Sequence, residues 1–145
     1  MNWIAVALGG ALGSLARHFV NLEVSHRLER AVPNGTFIVN VIGCLIIGAL
    51  AGRIASERLQ LSPMLRTFVF VGLLGGFTTF SSFGLDTFTL AHGGNHAPAF
   101  WNVVGQLVLG LGGVWLAPPR AASAGRARRL VGDERGRRTP PARRA

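Results

Sequence analysis

Charge is what this sequence has least of. Of its 145 residues, 14% are charged and 49% are hydrophobic, which leaves too little polar side chain to cover a water-soluble core. Only six residues are acidic and lysine is absent, so all 15 basic residues are Arg. A lone cysteine, Cys44, can close no internal disulfide and reads most simply as a small buried hydrophobe. There is no nucleophile elbow, phosphate-binding loop or carboxylate pair, which argues against an enzyme. His92 and His96 are four residues apart, but they sit in a Gly-Gly-Asn loop without a cysteine or carboxylate cluster and make a poor metal site.

What the chain does have is long apolar runs. Residues 3–20, 36–54, 65–90 and 99–116 each approach the roughly 20 predominantly apolar residues that cross a hydrocarbon core. They predict an all-α integral membrane domain of four transmembrane helices over residues 1–119. No basic residue precedes the first run and no clear small-residue cleavage site follows it, so it is expected to stay as a membrane helix. Polar segments separate the runs: NLEVSHRLERAVPNG with a turn at Pro33-Asn34-Gly35, then SERLQLSP with Pro63 placed to open the third helix, then AHGGNHAP. Residues 120–145 are rich in Arg, Pro, Gly and Ala without an apolar period, and are expected to form a disordered tail, cytoplasmic or at the surface.

That tail holds nine Arg against Asp133 and Glu134, so it carries +7 of the formal +9 and leaves +2 on residues 1–119. The loop arginines nearly balance. Arg53, Arg58 and Arg66 lie on one side of a four-span chain, and Arg27 and Arg30 on the other, with Arg17 near a helix end. This near tie admits both membrane orientations, and only the arginines just after the last span favour a cytoplasmic C-terminus.

Several residues inside the spans are unusual for lipid surroundings. Gly9 and Gly13 with Arg17, and Gly48 with Gly52, recur every four residues and would let helix backbones approach closely, within one subunit or across a dimer. Arg17 either snorkels to the headgroups or marks the mouth of a water-filled path. Thr36, Asn40, Gly43 and Ile47 share one helix face, where the Asn40 amide serves an interhelical hydrogen bond or donates to a passing polar solute. In GLLGGFTTFSSF, the pair Gly75-Gly76 followed by Thr78-Thr79 is poor material for continuous helix. A break there would free carbonyls and amides, one way to build an ion site in a membrane. Phe80 and Phe83 share a face of the helix that resumes. They either pack, or turn the positive edges of their rings to a small anion without holding it by full charge. Asp86, near the end of the third span, is expected to pair with an arginine or face a vestibule.

The segments GGALGSLARH, NGTFIVNVIGCLIIG and GLLGGFTTFSSF, in this order over residues 8–84, resemble the signatures of the Fluc (CrcB) fluoride channels. The resemblance implies four transmembrane helices per subunit, the third broken, with two subunits in opposite orientations around two pores. It also implies passive, selective fluoride efflux across the cell membrane, lowering cytoplasmic fluoride after HF has entered and dissociated. Phe80 and Phe83 match the family's pore-lining phenylalanines, Asn40 its pore asparagine, and Ser81 and Ser82 the hydroxyls beside the rings. Gly75 and Thr78 match the positions whose backbone carbonyls hold a structural sodium ion at the dimer centre, and Arg17 matches the basic residue at the end of the first helix, facing a vestibule.

Two features depart from that pattern. The fourth span, NVVGQLVLGLGGVWL, lacks the hydroxyl side chains that the family often sets along its fluoride track. Either Gln106 and backbone at Gly105, Gly110 and Gly112 substitute, or the subunit makes an incomplete pore beside a different homologous subunit. The Arg tail, too, favours one orientation and hence a heterodimer, although a homodimer ranks first. A small four-helix multidrug-type transporter is the nearest transport alternative, yet spans one, two and four contain no carboxylate to couple protons. A membrane-anchored scaffold whose tail binds anionic lipid or nucleic acid is the remaining class. For the channel, fluoride and membrane lipid are the expected partners, and nucleic acid is not.

Overall fold

A computed structural model describes residues 2–27 and 34–116. Pro33, Arg30 and the Arg-rich tail of residues 120–145 lie outside the described residues. Four stretches are helical, long and apolar enough to cross a membrane: Asn2–Arg27, Gly35–Ala55, Pro63–His92 and His96–Trp115.

The first, α1 (Asn2–Arg27), is 26 residues long. At 1.5 Å per residue that is about 39 Å, more than a hydrocarbon core of about 30 Å requires. The sequence NLEVSHR, expected as loop, stays helical. No Gly or Pro interrupts it, and Glu23 and Arg27 pair one turn apart at 3.5 Å. The second helix, α2 (Asn34–Ala55), starts two residues before the expected Thr36.

The third span is assembled in pieces. Short α3 (Pro63–Arg66) opens on Pro63, with the Ser62 hydroxyl accepting the Leu65 N–H at 3.3 Å. A π-helical segment follows over Thr67–Leu74, then α4 (Gly75–Phe77). Thr78 (φ −80°, ψ 152°) and Thr79 (φ −151°, ψ 115°) have extended backbone, after which α5 runs over Phe80–His92. Gly75 and Gly76 are themselves helical, and the extended pair falls on the threonines. Close packing fixes Gly76, where a Cβ would lie 2.7 Å from the Gly10 carbonyl oxygen. Threonine, stiff and β-branched, suits the extended region. The last helix, α6 (His96–Trp115), packs on α2 and α5.

Glycines decide how closely α1 and the third span approach. A Cβ on Gly9 would sit 2.6 Å from the Phe68 carbonyl oxygen and 2.9 Å from Gly72 Cα, and one on Gly13 would run into the Leu73 carbonyl oxygen. The i→i+5 bonding of the π segment winds more residues into each turn, which lines up Phe68, Gly72-Leu73 and Phe77 against α1. Gly48 does the same for α2 on α6, where a Cβ would lie 2.8 Å from Val114 Cα. Gly9, Gly13 and Gly48 thus act within the chain.

The apolar core is made of few side chains: Ala5, Val39, Leu74, Leu90 and Ala99 are buried. The large apolar residues point outward instead, among them Leu8, Leu12, Leu15, Phe19, Val108 and Leu111. Water would penalise that arrangement, whereas lipid or a partner chain accepts it.

Candidate ion pathway

Asn40 sits on the α2 face it shares with Gly43 and Ile47, opposite the extended pair. Its Oδ1 accepts the Thr79 N–H at 2.8 Å and its Nδ2 donates to the Thr79 carbonyl at 3.1 Å. One side-chain amide thereby pairs with both backbone groups of an extended residue, much as a neighbouring strand would. The second Nδ2 proton goes to Gln106 Oε1 at 2.7 Å. Gln106 Nε2 donates to Asn102 Oδ1 at 3.1 Å, and Asn102 Nδ2 to Thr87 Oγ1 at 2.9 Å. The Thr87 hydroxyl donates to the Phe83 carbonyl at 2.8 Å. Buried amides must be partnered, and this run satisfies Asn40, Gln106 and Asn102 together.

Beside this run lies an open cavity of about 230 Å³. It is lined by Asn40, Cys44, Ile47, Thr78, Thr79, Phe80, Phe83, Gln106 and Leu107, none of them charged. The rings of Phe80 and Phe83 stand 5.3 Å apart, tilted by 58°. Phe83 is half-buried and Phe80 is 79% exposed in the single chain.

Thr79 Oγ1 accepts the Ser82 N–H at 3.2 Å and meets the Ser81 and Ser82 hydroxyls at 3.0 and 3.2 Å. It is the N-cap of α5 and holds the turn that begins at Phe80. The Gly75 and Thr78 carbonyls are among those that lose their helical donors at this point. A continuous helix would send the Thr79 N–H to the Gly75 carbonyl and the Ser82 N–H to the Thr78 carbonyl, but these donors go to Asn40 and to Thr79 Oγ1.

Residues 4–118 match a family model described as CrcB-like protein, Camphor Resistance (CrcB). The chain belongs to the CrcB family. Curated relatives described as fluoride-specific ion channel FluC are similar over most of their length. That of Chloroflexus aurantiacus is 48% identical over 110 residues, covering 76% of this chain and 86% of the relative. That of Methylobacillus flagellatus is 48% identical over 112 residues, covering 77% and 87%. That of Paracoccus denitrificans is 49% identical over 114 residues, covering 78% and 88%. The match and the four apolar spans make this CrcB chain a multi-pass membrane protein.

Of the site residues expected from sequence, the structure of this CrcB chain brings Asn40, Thr78, Phe80 and Phe83 to one cavity. Ser81 and Ser82 reach it only through the Thr79 hydroxyl, and Gly75 lies on the helix end that leads to the extended pair. Arg17 is half-buried on α1 and is not among the residues lining the cavity. Asp86 has no arginine partner among the described residues, where the ion pair found is Arg27 with Glu23, and its Oδ2 is buried without a hydrogen-bond partner there. Gly105 and Gly110 pack, against Phe37 at 2.8 Å and Cys44 Sγ at 3.4 Å from an added Cβ, so they offer the path little backbone. Cys44 is half-buried and lines the cavity, where a buried hydrophobe was expected. Sequence reasoning named Thr79 only for the helix interruption, not as the partner of Asn40, and missed Thr87. The signal for Cys44 was present, since it lies one helical turn beyond Asn40.

Proposed function

We propose that this CrcB chain is a fluoride channel through which fluoride leaves the cytoplasm passively, and not an enzyme. The observation that carries the reading is the pair of neighbouring rings, Phe80 and Phe83, beside Asn40 on an uncharged cavity. Fluoride must shed water to pass. Ring edges are positive and replace part of that hydration, while the absence of a fixed cation lets the ion leave again. Asn40 already gives both Nδ2 protons to Thr79 and Gln106, so its contribution is to orient the site unless the ion displaces one of these bonds.

The third span then serves as the broken helix of the channel, with Thr78-Thr79 as the interruption. Two subunits assemble in opposite orientations, consistent with the balanced loop arginines and with the bare face of Phe80. The Gly75 and Thr78 carbonyls, relieved of their helical donors, fit a hard cation such as sodium, which takes oxygen ligands. Bound there, the ion would supply positive charge that holds carbonyl dipoles together at the subunit contact. Arg17 belongs to the vestibule in this reading.

The test is fluoride efflux from liposomes holding only the purified chain, followed with a fluoride electrode. Fast efflux is expected, without chloride leak, and Phe80→Ile and Asn40→Asp should each abolish it. No efflux from well-folded protein would sink the homodimer, leaving a pore that needs a second, homologous subunit. The hydroxyl-free fourth span is the observation that favours that second reading.

A further inference from the structure

The hydrogen bonds around the cavity form a closed circuit that begins and ends on the segment bearing the two rings. It starts at the Thr79 N–H, immediately before Phe80. It passes through Asn40 on α2, then Gln106 and Asn102 on α6, then Thr87 on α5, and finishes at the Phe83 carbonyl. Every link donates in the same sense. Dipoles aligned head to tail strengthen one another in a low-dielectric interior.

Gln106 stands at the centre. Its oxygen takes an Asn40 proton and its nitrogen gives one to Asn102, so it fixes which way round each of the other amides lies. It is only 9% exposed, and its oxygen and one of its Nε2 protons are bonded within the protein. Only a side chain with an acceptor at one edge and a donor at the other can fill this place without reversing a link. We propose that Gln106, with Asn102, is a positioning residue for ion selection: it locks Asn40 onto Thr79 and thereby sets the turn that carries Phe80 and Phe83. In this role it does not itself carry the ion. The missing hydroxyls of the fourth span are then replaced by a clamp, not by another set of ligands. The inference rests on the fluoride-channel reading for its link to conduction, but the clamp itself is independent of it.

The experiment measures hydrogen exchange of the Thr79 backbone amide by NMR in the 15N-labelled full chain, without fluoride, and fluoride efflux in parallel. Gln106→Met keeps the bulk of the side chain and removes both links. It should speed Thr79 exchange at least tenfold, leave α1 amides unchanged, and cut efflux at least tenfold. Thr87→Val is nearly isosteric and touches neither Asn40 nor Thr79, yet it removes the far acceptor. It should speed Thr79 exchange about threefold, and it decides the matter if Gln106→Met does not fold. Unchanged Thr79 exchange in a folded variant overturns the proposal even where efflux falls, because Gln106 would then face the ion directly. Faster exchange with full efflux overturns it as well, since the clamp would not matter to conduction. If the unsubstituted chain passes no fluoride, the self-sufficient homodimer fails, while Thr79 exchange still decides whether the circuit is a clamp.

Discussion

Thr79 shows how much one hydroxyl can carry at a membrane helix end. Its oxygen accepts the Ser82 N–H at 3.2 Å and meets the Ser81 and Ser82 hydroxyls, while its backbone is held by Asn40. Thr79→Val keeps the β-branching that suits extended backbone and removes only the cap. Loss of an N-cap oxygen costs about 1 kcal/mol, which corresponds to a melting temperature lower by roughly 4 °C for a chain of this size. Thermal unfolding in detergent should show that drop, and electrode recordings should show slower efflux as the first turn of α5 loosens. A variant that melts and conducts like the parent would remove the Thr79 hydroxyl from the site. Among single residues, Asn40 and the Phe80-Phe83 pair were legible because a lone amide and paired rings stand out in apolar sequence. The capping role of Thr79 was not, since a helical threonine commonly returns its hydroxyl to the carbonyl four residues back, as Thr67, Thr78 and Thr87 do. Only the backbone at the extended pair turns Thr79 to a different task.

At the scale of elements, α1 and the third span make contact through backbone, so their separation is set by the lack of side chains. An added methyl at Gly13 meets the Leu73 carbonyl oxygen and the Phe77 nitrogen, neither of which can rotate away, whereas at Gly10 nothing lies within 4 Å. Gly13→Ala is therefore expected to destabilise by about 1–3 kcal/mol, the usual cost of overpacking. Gly10→Ala should be neutral or stabilising by up to about 1 kcal/mol, because alanine loses less backbone entropy in a helix. Parallel melting curves check the pair, and equal behaviour of the two variants would contradict the packing described. The four spans themselves were plain from the apolar runs, and the position of Pro63 from its fitness for a first turn. Two features were not plain. The π segment has no local signature, because i→i+5 and i→i+4 bonding use the same apolar residues and only the fit of Phe68, Gly72 and Phe77 to α1 distinguishes them. The last turns of α1 read as loop because they are polar, although polarity beyond the hydrocarbon edge ends a span without ending a helix.

For the molecule as a whole, the distribution of charge and of aromatic surface makes separate demands. Trp3 and Trp115, 87% and 81% exposed, fall at the ends of the first and fourth spans that share one side, and Trp101, 66% exposed, lies near the other end of α6. Indole rings favour both membrane interfaces, so the four-span body is anchored by its own surface. The Arg-rich residues 120–145 add +7 to a body of +2, and among the described residues the amide circuit and the cavity lining run from Asn40 to Leu107. If conduction depends on the cavity alone, deleting residues 120–145 should leave fluoride efflux within about twofold of the full chain, since screened charge beyond a Debye length of about 10 Å has little hold on a buried path. A scaffold acting through its tail would instead lose its binding to anionic vesicles and show no efflux before or after deletion. Cross-linking of the truncated chain in detergent supplies the second readout. The 79% exposure of Phe80 in the single chain predicts that a dimer persists without the tail, because the surface that needs covering lies on the spans. A truncated chain that runs only as a monomer and passes no fluoride would place assembly in the tail and overturn the independence of the four-span body.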